Sequence, residues 1–223
     1  MIVLAIDTAG TACNVALYDS ARGAPLGNAG ADIGRGHAER LMAFIDEALE
    51  RSGLEMNAIN RVAVTIGPGS FTGIRVGVAA ARGLGLALGI PVVGVSVLQA
   101  QAFSVLAGKP GQSVLIVTDA KREEVYVQSF DAAGQPLTEA EALDIATART
   151  TFGQFAGTIR GSGAALLRED RDIQPGETHP ETADIAVVAR LGAALDPSVA
   201  LPKPLYLRGP DVRSQAGFAV ARA

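Results

Sequence analysis

The sequence predicts an α/β chain of two lobes built on one plan, the second lobe a reduced copy of the first. Three observations carry the prediction. An apolar strand ends in an aspartate, turns, and returns as a strand ending in a second aspartate, and this unit occurs twice. Asp7 and Asp19 stand twelve residues apart, as do Asp119 and Asp131. A unit that recurs over about half a chain has to be read before any motif. After each unit the apolar period lengthens from two to that of a helix, and helices then alternate with strands. Finally, 48% of the residues are hydrophobic but only 4% aromatic. The core must therefore be Val, Ile, Leu and Ala, which suits helices packed closely on sheets better than an aromatic-rich binding module. A chain of 223 residues can supply a core to each of two lobes.

The first half reads element by element. Met1–Ile6 is a β-branched apolar run, a buried strand closing on Asp7, and Thr8-Ala9-Gly10-Thr11 is a tight turn. Cys13–Tyr18 returns, Asp19–Gly23 turns again, and a third strand lies within Leu26–Ile33. From His37 to Arg51, Leu41, Phe44, Ile45, Ala48 and Leu49 fall on one face of a helix. Arg61–Ile66 is a strand, Gly67-Pro68-Gly69 a loop, and Phe71–Leu88 a long helix of small residues. Pro91–Val95 is a short strand after which Ser96 can cap the next helix.

The second half restarts the pattern. Ser113–Asp119 and Glu124–Phe130 form the second hairpin, and Asp131-Ala132-Ala133-Gly134 turns. A helix is expected over Thr150–Ala156, a strand over Thr158–Arg160, and a helix over Thr182–Leu195. The extended apolar segment Pro204–Arg208 is expected to pack back on the body. The lobes are placed at residues 1–107 and 108–223, with the tail from about 204 returning to the first. Two facing halves of this kind describe the actin, hexokinase and Hsp70-like ATPases, an actin/Hsp70-like (RNase H-like) fold.

Charge and cysteine usage narrow the function. The net charge is −4, only Lys109, Lys121 and Lys203 are lysines, and no Lys/Arg run exists. Nucleic-acid affinity comes largely from neutralising phosphates, so tight RNA binding by the chain alone is not expected. Cys13 is the one cysteine, which excludes an internal disulfide. The N-terminus lacks a basic segment before its short apolar run, and no stretch of 18 residues is free of Gly, Pro and charge. A soluble cytoplasmic protein, with no membrane partner, is the expectation.

The residues that could carry chemistry divide unevenly between the halves. Asp7, Thr8, Gly10 and Thr11 would suit a turn that cradles phosphate with backbone N–H groups while a carboxylate positions Mg²⁺ through water. The matching turn, Asp119-Ala120-Lys121-Arg122-Glu123-Glu124, has no glycine and two acids that repel phosphate. A nucleotide cleft needs both, so the site is read as vestigial or weak. The Gly67-Pro68-Gly69-Ser70-Phe71-Thr72-Gly73 loop fits neither the Walker nor the dinucleotide fingerprint. Ser70 or Thr72 more simply caps the helix. In that helix Gly73, Gly77, Ala81, Gly85 and Gly89 recur every four residues as one stripe. Gly77, Gly83 and Gly85 together cost roughly 3 kcal/mol of helix propensity. Close approach of another backbone is the available offset, either the protein's own sheet and first helix or a second subunit framed by Arg75, Val78, Arg82 and Leu86. No metal is expected: four residues after His37 stands Leu41, and His179 lies in a Pro-bounded loop. Cys13 inside a strand and Ser96 outside any G-x-S-x-G elbow give no nucleophile.

These residues together resemble a known family. Ile6-Asp7-Thr8, His37-Ala38-Glu39-Arg40-Leu41 and the run from Gly67 through Gly77 resemble the TsaB (YeaZ) family, within the wider glycoprotease or peptidase M22-like group. Ile90–Ser96, Asp119–Tyr126 and Pro204–Arg208 look like it too, in the same order. The resemblance implies a non-catalytic subunit in the synthesis of threonylcarbamoyladenosine beside the tRNA anticodon. It implies pairing with TsaD, the enzyme that carries a metal-binding His-x-x-x-His motif, together with the ATPase TsaE, while TsaC supplies the activated intermediate. His37 falls on the first histidine of that motif and Leu41 replaces the second. No cofactor is then expected on this chain, with ATP or ADP and metal on the partner subunits and tRNA reached only through the complex. The resemblance places the partner interface on the two helices, with His37, Leu41, Gly73, Arg75, Gly77, Val78, Ala81, Arg82 and Gly85, and the same helices could pair two copies of the chain alone. The rival reading is a stand-alone ATP-dependent enzyme or peptidase on the same fold.

Overall fold

The computed structural model describes residues 1–108, 111–167 and 183–208. The first lobe is a sheet of β1 (Ile2–Asp7), β2 (Ala12–Asp19), β3 (Ala24–Asp32), β4 (Arg61–Gly67) and β5 (Val92–Ser96), in the spatial order β3-β2-β1-β4-β5. The β1–β2 and β2–β3 pairs are antiparallel, while β1–β4 and β4–β5 are parallel. Helices α1 (His37–Ser52) and α2 (Phe71–Leu88) make the crossovers that parallel strands require. The second lobe repeats the order with β6 (Val114–Lys121), β7 (Glu124–Phe130), β8 (Glu141–Asp144) and β9 (Thr158–Arg160), arranged β8-β7-β6-β9. Among the described residues it has no fifth strand, and its pairings run in the same senses. This is the two-lobed actin/Hsp70-like topology with a reduced second lobe.

Alternation along β1 explains why its sequence is apolar without interruption. Leu4 and Ile6 face α1 and α2, meeting Leu41, Phe44, Ile45, Ile74 and Val78. Val3 and Ala5 face the other way, against Val187, Val188 and Leu191 of α6 (Ile185–Ala194). A strand covered on both faces has no polar side to show. Each Val, Leu or Ile side chain so enclosed contributes about 1.5–3 kcal/mol of transfer free energy.

The sheets do not divide the helices as the sequence suggested. Helix α6, expected in the second lobe, packs on β1, β2, β4 and β5 of the first. Arg61 on β4 holds its end, donating to the carbonyls of Gly192 (2.9 Å), Ala193 (3.1 Å) and Leu195 (2.8 Å). A cation at a helix C-terminus satisfies carbonyls left without intrahelical partners. Helix α3 (Val97–Gly108), placed by sequence in the first lobe, sets Leu98, Ala102 and Val105 against Val114, Ile116 and Phe130 of the second sheet. Helix α3 also turns Val97, Ala100 and Phe103 toward the first lobe, so it lies between the two sheets, while 183–205 packs on the first.

Smaller departures have local causes. Helix α4 spans Ile145–Phe152, not 150–156, because Asp144 caps it by accepting from the Thr147 N–H at 2.8 Å. The edge strand β8 and the one-turn α5 (Ala164–Leu167) were not anticipated. His179, Lys109 and the tail from 209 onward lie outside the described residues.

Candidate functional site

The first turn is built from the inside. Asp7, at the end of β1, is wholly buried; its Oδ1 accepts from the Ala9 N–H (3.0 Å) and the Thr65 hydroxyl (2.7 Å), while Oδ2 has no hydrogen-bond partner among the described residues. Burial pushes its carboxyl pKa up, against the lowering pull of these two hydrogen bonds. Thr8 is buried as well, and its hydroxyl donates to the Gly73 carbonyl at 2.7 Å. The Gly67–Ser70 loop, with a cis peptide bond between Gly67 and Pro68, lies over the turn so that the Ser70 N–H reaches the Ala9 carbonyl at 2.7 Å. The four residues read from the sequence as a phosphate site thus separate. Gly10 and Thr11 line a cavity, whereas Asp7 and Thr8 face inward and spend their polar atoms on the fold.

The second turn is held differently. Lys121, Arg122 and Glu123 take φ values of 62°, 57° and 61°, a left-handed tip with no glycine in it. Non-glycine residues pay for that conformation unless neighbours over-determine it. Asp119 accepts from the Lys121 N–H (2.7 Å) and ammonium (3.0 Å), and Glu123 O accepts from the Ile145 N–H (3.0 Å). Partial burial alone would raise the Asp119 pKa, but the Lys121 hydrogen bonds and charge bring it below the ordinary carboxylate value. The loop Gly161-Ser162-Gly163 then covers this turn as Gly67–Ser70 covers the first, its Ser162 hydroxyl accepting from the Asp119 N–H at 3.0 Å. By sequence Glu124 is an acid that repels phosphate; in the fold its carboxylate is paired with Arg208.

Between the turns lies a cavity of about 660 Å³. Its walls include Thr11, Ser70, Phe71, Asp119, Lys121 and Tyr206. Small-molecule sites typically fall in this size range. No group of three or more His, Cys, Asp or Glu side chains placed to hold a metal exists among the described residues. Cys13 is buried, and burial with the nearby Asp7 charge pushes its thiol up to about 11, which keeps it protonated and unreactive.

The small-residue stripe of α2 faces inward. A Cβ on Gly73 would lie 2.0 Å from the Thr8 carbonyl oxygen, one on Gly77 2.3 Å from the Thr8 hydroxyl, and one on Gly85 2.2 Å from Val92. Ala81 and Val78 are buried beside them, as are His37 and Leu41 on α1. Seven of the nine residues proposed for a subunit interface are therefore core residues, and the stripe's close partner is the protein's own sheet. Arg75 and Arg82 remain outward, together with Ala79, Gly83 and Leu86, the last 87% exposed. Met42 on α1 and Phe71 at the head of α2 are also half exposed. Three consecutive turns of outward residues were legible from the helical period, but which stripe met the sheet was not. By length and composition α2 could cross a membrane; its buried stripe and two arginines are what a core helix shows.

Comparison with known proteins adds to this geometry. Residues 31–160 match the family model of TsaD, tRNA N6-adenosine threonylcarbamoyltransferase. The chain is 39% identical over 127 residues to the tRNA threonylcarbamoyladenosine biosynthesis protein TsaB of Escherichia coli, covering 56% of this chain and 53% of that protein. It is 36% identical over 126 residues to TsaB of Haemophilus influenzae, covering 56% and 52%. Each match thus spans about half the length of these TsaB relatives. An uncharacterised protein of Mycobacterium tuberculosis is 34% identical over 218 residues, 96% of this chain and 95% of its own length. Among solved structures, a Pseudomonas aeruginosa protein described as similar to peptidase YEAZ superposes with a TM-score of 0.75 at 26% identity, covering 93% and 99% of the two chains.

Proposed function

The chain belongs to the TsaB/YeaZ family, and from that premise we propose that it is a non-catalytic subunit in the synthesis of threonylcarbamoyladenosine on tRNA. It docks on a TsaD-type transferase in the cytoplasm, with TsaE joining the assembly. ATP or ADP and any metal are held by those partners, and tRNA is reached through the complex.

The observation that carries the reading is the fate of the catalytic positions. Leu41 stands where a second metal-binding histidine would, and it is packed into the core with Phe44 and Ile45. The Thr8 hydroxyl and Asp7 Oδ1 are engaged in internal hydrogen bonds. What the same helices offer outward is an apolar surface of Met42, Phe71, Ala79 and Leu86 edged by Arg75 and Arg82. Exposed apolar residues on neighbouring helices favour a protein partner, and a stable contact there should bury about 1,600 Å² in total.

Reconstitution tests the proposal. Modified adenosine should form on tRNA with TsaC, TsaD, TsaE and this chain, and should fall at least about tenfold, some 1.4 kcal/mol of barrier, when the chain is omitted. Leu86→Glu, at a position that contributes nothing to the core, should abolish co-migration with TsaD while leaving thermal stability unchanged. Equal rates without the chain would overturn the proposal, as would ATP-dependent turnover by the chain alone that Asp7→Ala removes. Intact complex formation by Leu86→Glu would move the interface elsewhere.

A further inference from the structure

Ten residues beyond the end of α6 the chain crosses from one lobe to the other, over residues 204–208. Gly94 N–H on the edge strand β5 donates to the Ala200 carbonyl at 2.9 Å, and the Leu205 N–H donates to the Ile66 carbonyl at 2.8 Å, so the segment is anchored along the first sheet. The Tyr206 hydroxyl then accepts from Arg75 Nε at 2.8 Å, and its ring lies 5.2 Å from that of Phe71. The Arg75 guanidinium sits 3.6 Å from the Phe71 centroid, completing a stack at the cavity mouth. Two residues later the segment reaches the second lobe. Arg208 pairs with Glu124, donates to the Lys121 carbonyl at 2.9 Å, and lies 5.9 Å from the Tyr126 ring. Leu205, Tyr206, Leu207 and Arg208 all line the cavity.

We propose that residues 204–208 are a latch across the cavity, with Arg208 as its catch on the second lobe. The catch grips a hairpin tip whose backbone is held left-handed through three non-glycine residues, Lys121 to Glu123. Such a conformation persists where surrounding bonds over-determine it, and the Arg208 bond to Lys121 O is one of those bonds. Releasing Arg208 removes both a tie across the cavity and a restraint on the tip, while α3, packed on both sheets, still joins the lobes at the other side as a hinge. The cavity then opens and the tip relaxes, giving two discrete arrangements of the kind that hinge closure uses. The anchor on the first lobe includes Arg75 on the outward face of α2, so a partner seated on that face would touch the latch. The latch itself does not depend on that partner and is testable on the chain alone.

The test measures the separation of the lobes in the full chain. Spin labels are placed at Glu50→Cys on α1 and Ala146→Cys on α4, both exposed, while native Cys13 is buried. Pulsed dipolar spectroscopy should give a narrow distance distribution for the native latch. Arg208→Ala and Glu124→Gln should each shift it to longer distance and broaden it. The reversed pair, Arg208→Glu with Glu124→Arg, should restore the narrow distribution. Hydrogen exchange should show faster exchange at the tip, 121–124, in Arg208→Ala with β1 and residues 114–119 of β6 still protected. Distributions that superimpose on the native one would overturn the proposal. So would a reversed pair that stays as open as the single variants, or loss of protection in β1 and β6, which would make the segment part of the core.

Discussion

At the end of β1 a carboxylate lies wholly inside the protein, and at the end of β6 its counterpart lies at a cavity rim with 28% of its side chain exposed. Both follow an apolar strand, both precede a tight turn, and both turns are covered by a glycine-containing loop from the parallel strand next door. Yet burial pushes Asp7 above the ordinary carboxylate value, while Lys121 brings Asp119 below it. The shared backbone frame sets where a carboxylate stands. The surroundings decide what it does: Asp7 is closed in by Thr65 and the Gly67–Ser70 loop, and Asp119 is left with a lysine and open space. The repeat is one of framework, and it does not extend to chemistry.

Glycines packed on the two turns, Gly73 in the first turn of α2 and Gly163 in the second covering loop, offer the largest test of that comparison. At Gly73 an added Cβ meets the Thr8 carbonyl oxygen at 2.0 Å, a backbone atom that cannot turn aside; at Gly163 the corresponding approach, to the Asp119 nitrogen, is 2.9 Å. Gly73→Ala should cost about 3 kcal/mol, the upper end for overpacking, and Gly163→Ala about 1 kcal/mol. Urea titrations of the two variants measure the difference. Equal costs would mean that the two turns are packed equally closely at these glycines.

Proton linkage sharpens the contrast between the carboxylates. A group whose folded pKa is raised contributes stability that is full below its unfolded pKa and lost as pH rises through the folded one. Burial raises the Asp7 pKa, so the native chain should lose stability relative to Asp7→Asn as pH rises above about 4, the unfolded carboxyl value. Asp119 has the opposite sign. Its contribution is present above the unfolded pKa and fades as pH falls through the folded one, so Asp119→Asn should lie closest to the native chain in acid. Thermal melts of the three proteins across pH decide the matter, and parallel curves for the two variants would erase the distinction.

The smallest effect contrasts the two faces of α2. Gly83 points outward with nothing within 4 Å of an added Cβ, unlike Gly77 on the buried stripe. Gly83→Ala should therefore stabilise the chain by about 1 kcal/mol, the propensity difference between glycine and alanine in a helix. A loss on denaturant unfolding would show that the outer face is packed after all.

Much of this protein was readable in its residues because the signals are local. Strand β7 and helix α2 have the bounds that alternation and helical period gave them, and the paired aspartates located the repeat. Asp144, whose capping role starts α4 five residues before Thr150, is likewise a local signal. The glycine stripe announced a close approach without naming its partner, since a four-residue spacing marks a face and not what covers it. Only the tertiary structure showed that the partner is Thr8 and the sheet, that α6 packs on the first sheet while α3 lies between the two, and that Arg208 meets Glu124 across 84 positions of sequence. Period and capping depend on residues a few places apart and are fixed by the backbone's own geometry. Contacts between distant segments depend on how whole layers dock, and no local pattern carries that information.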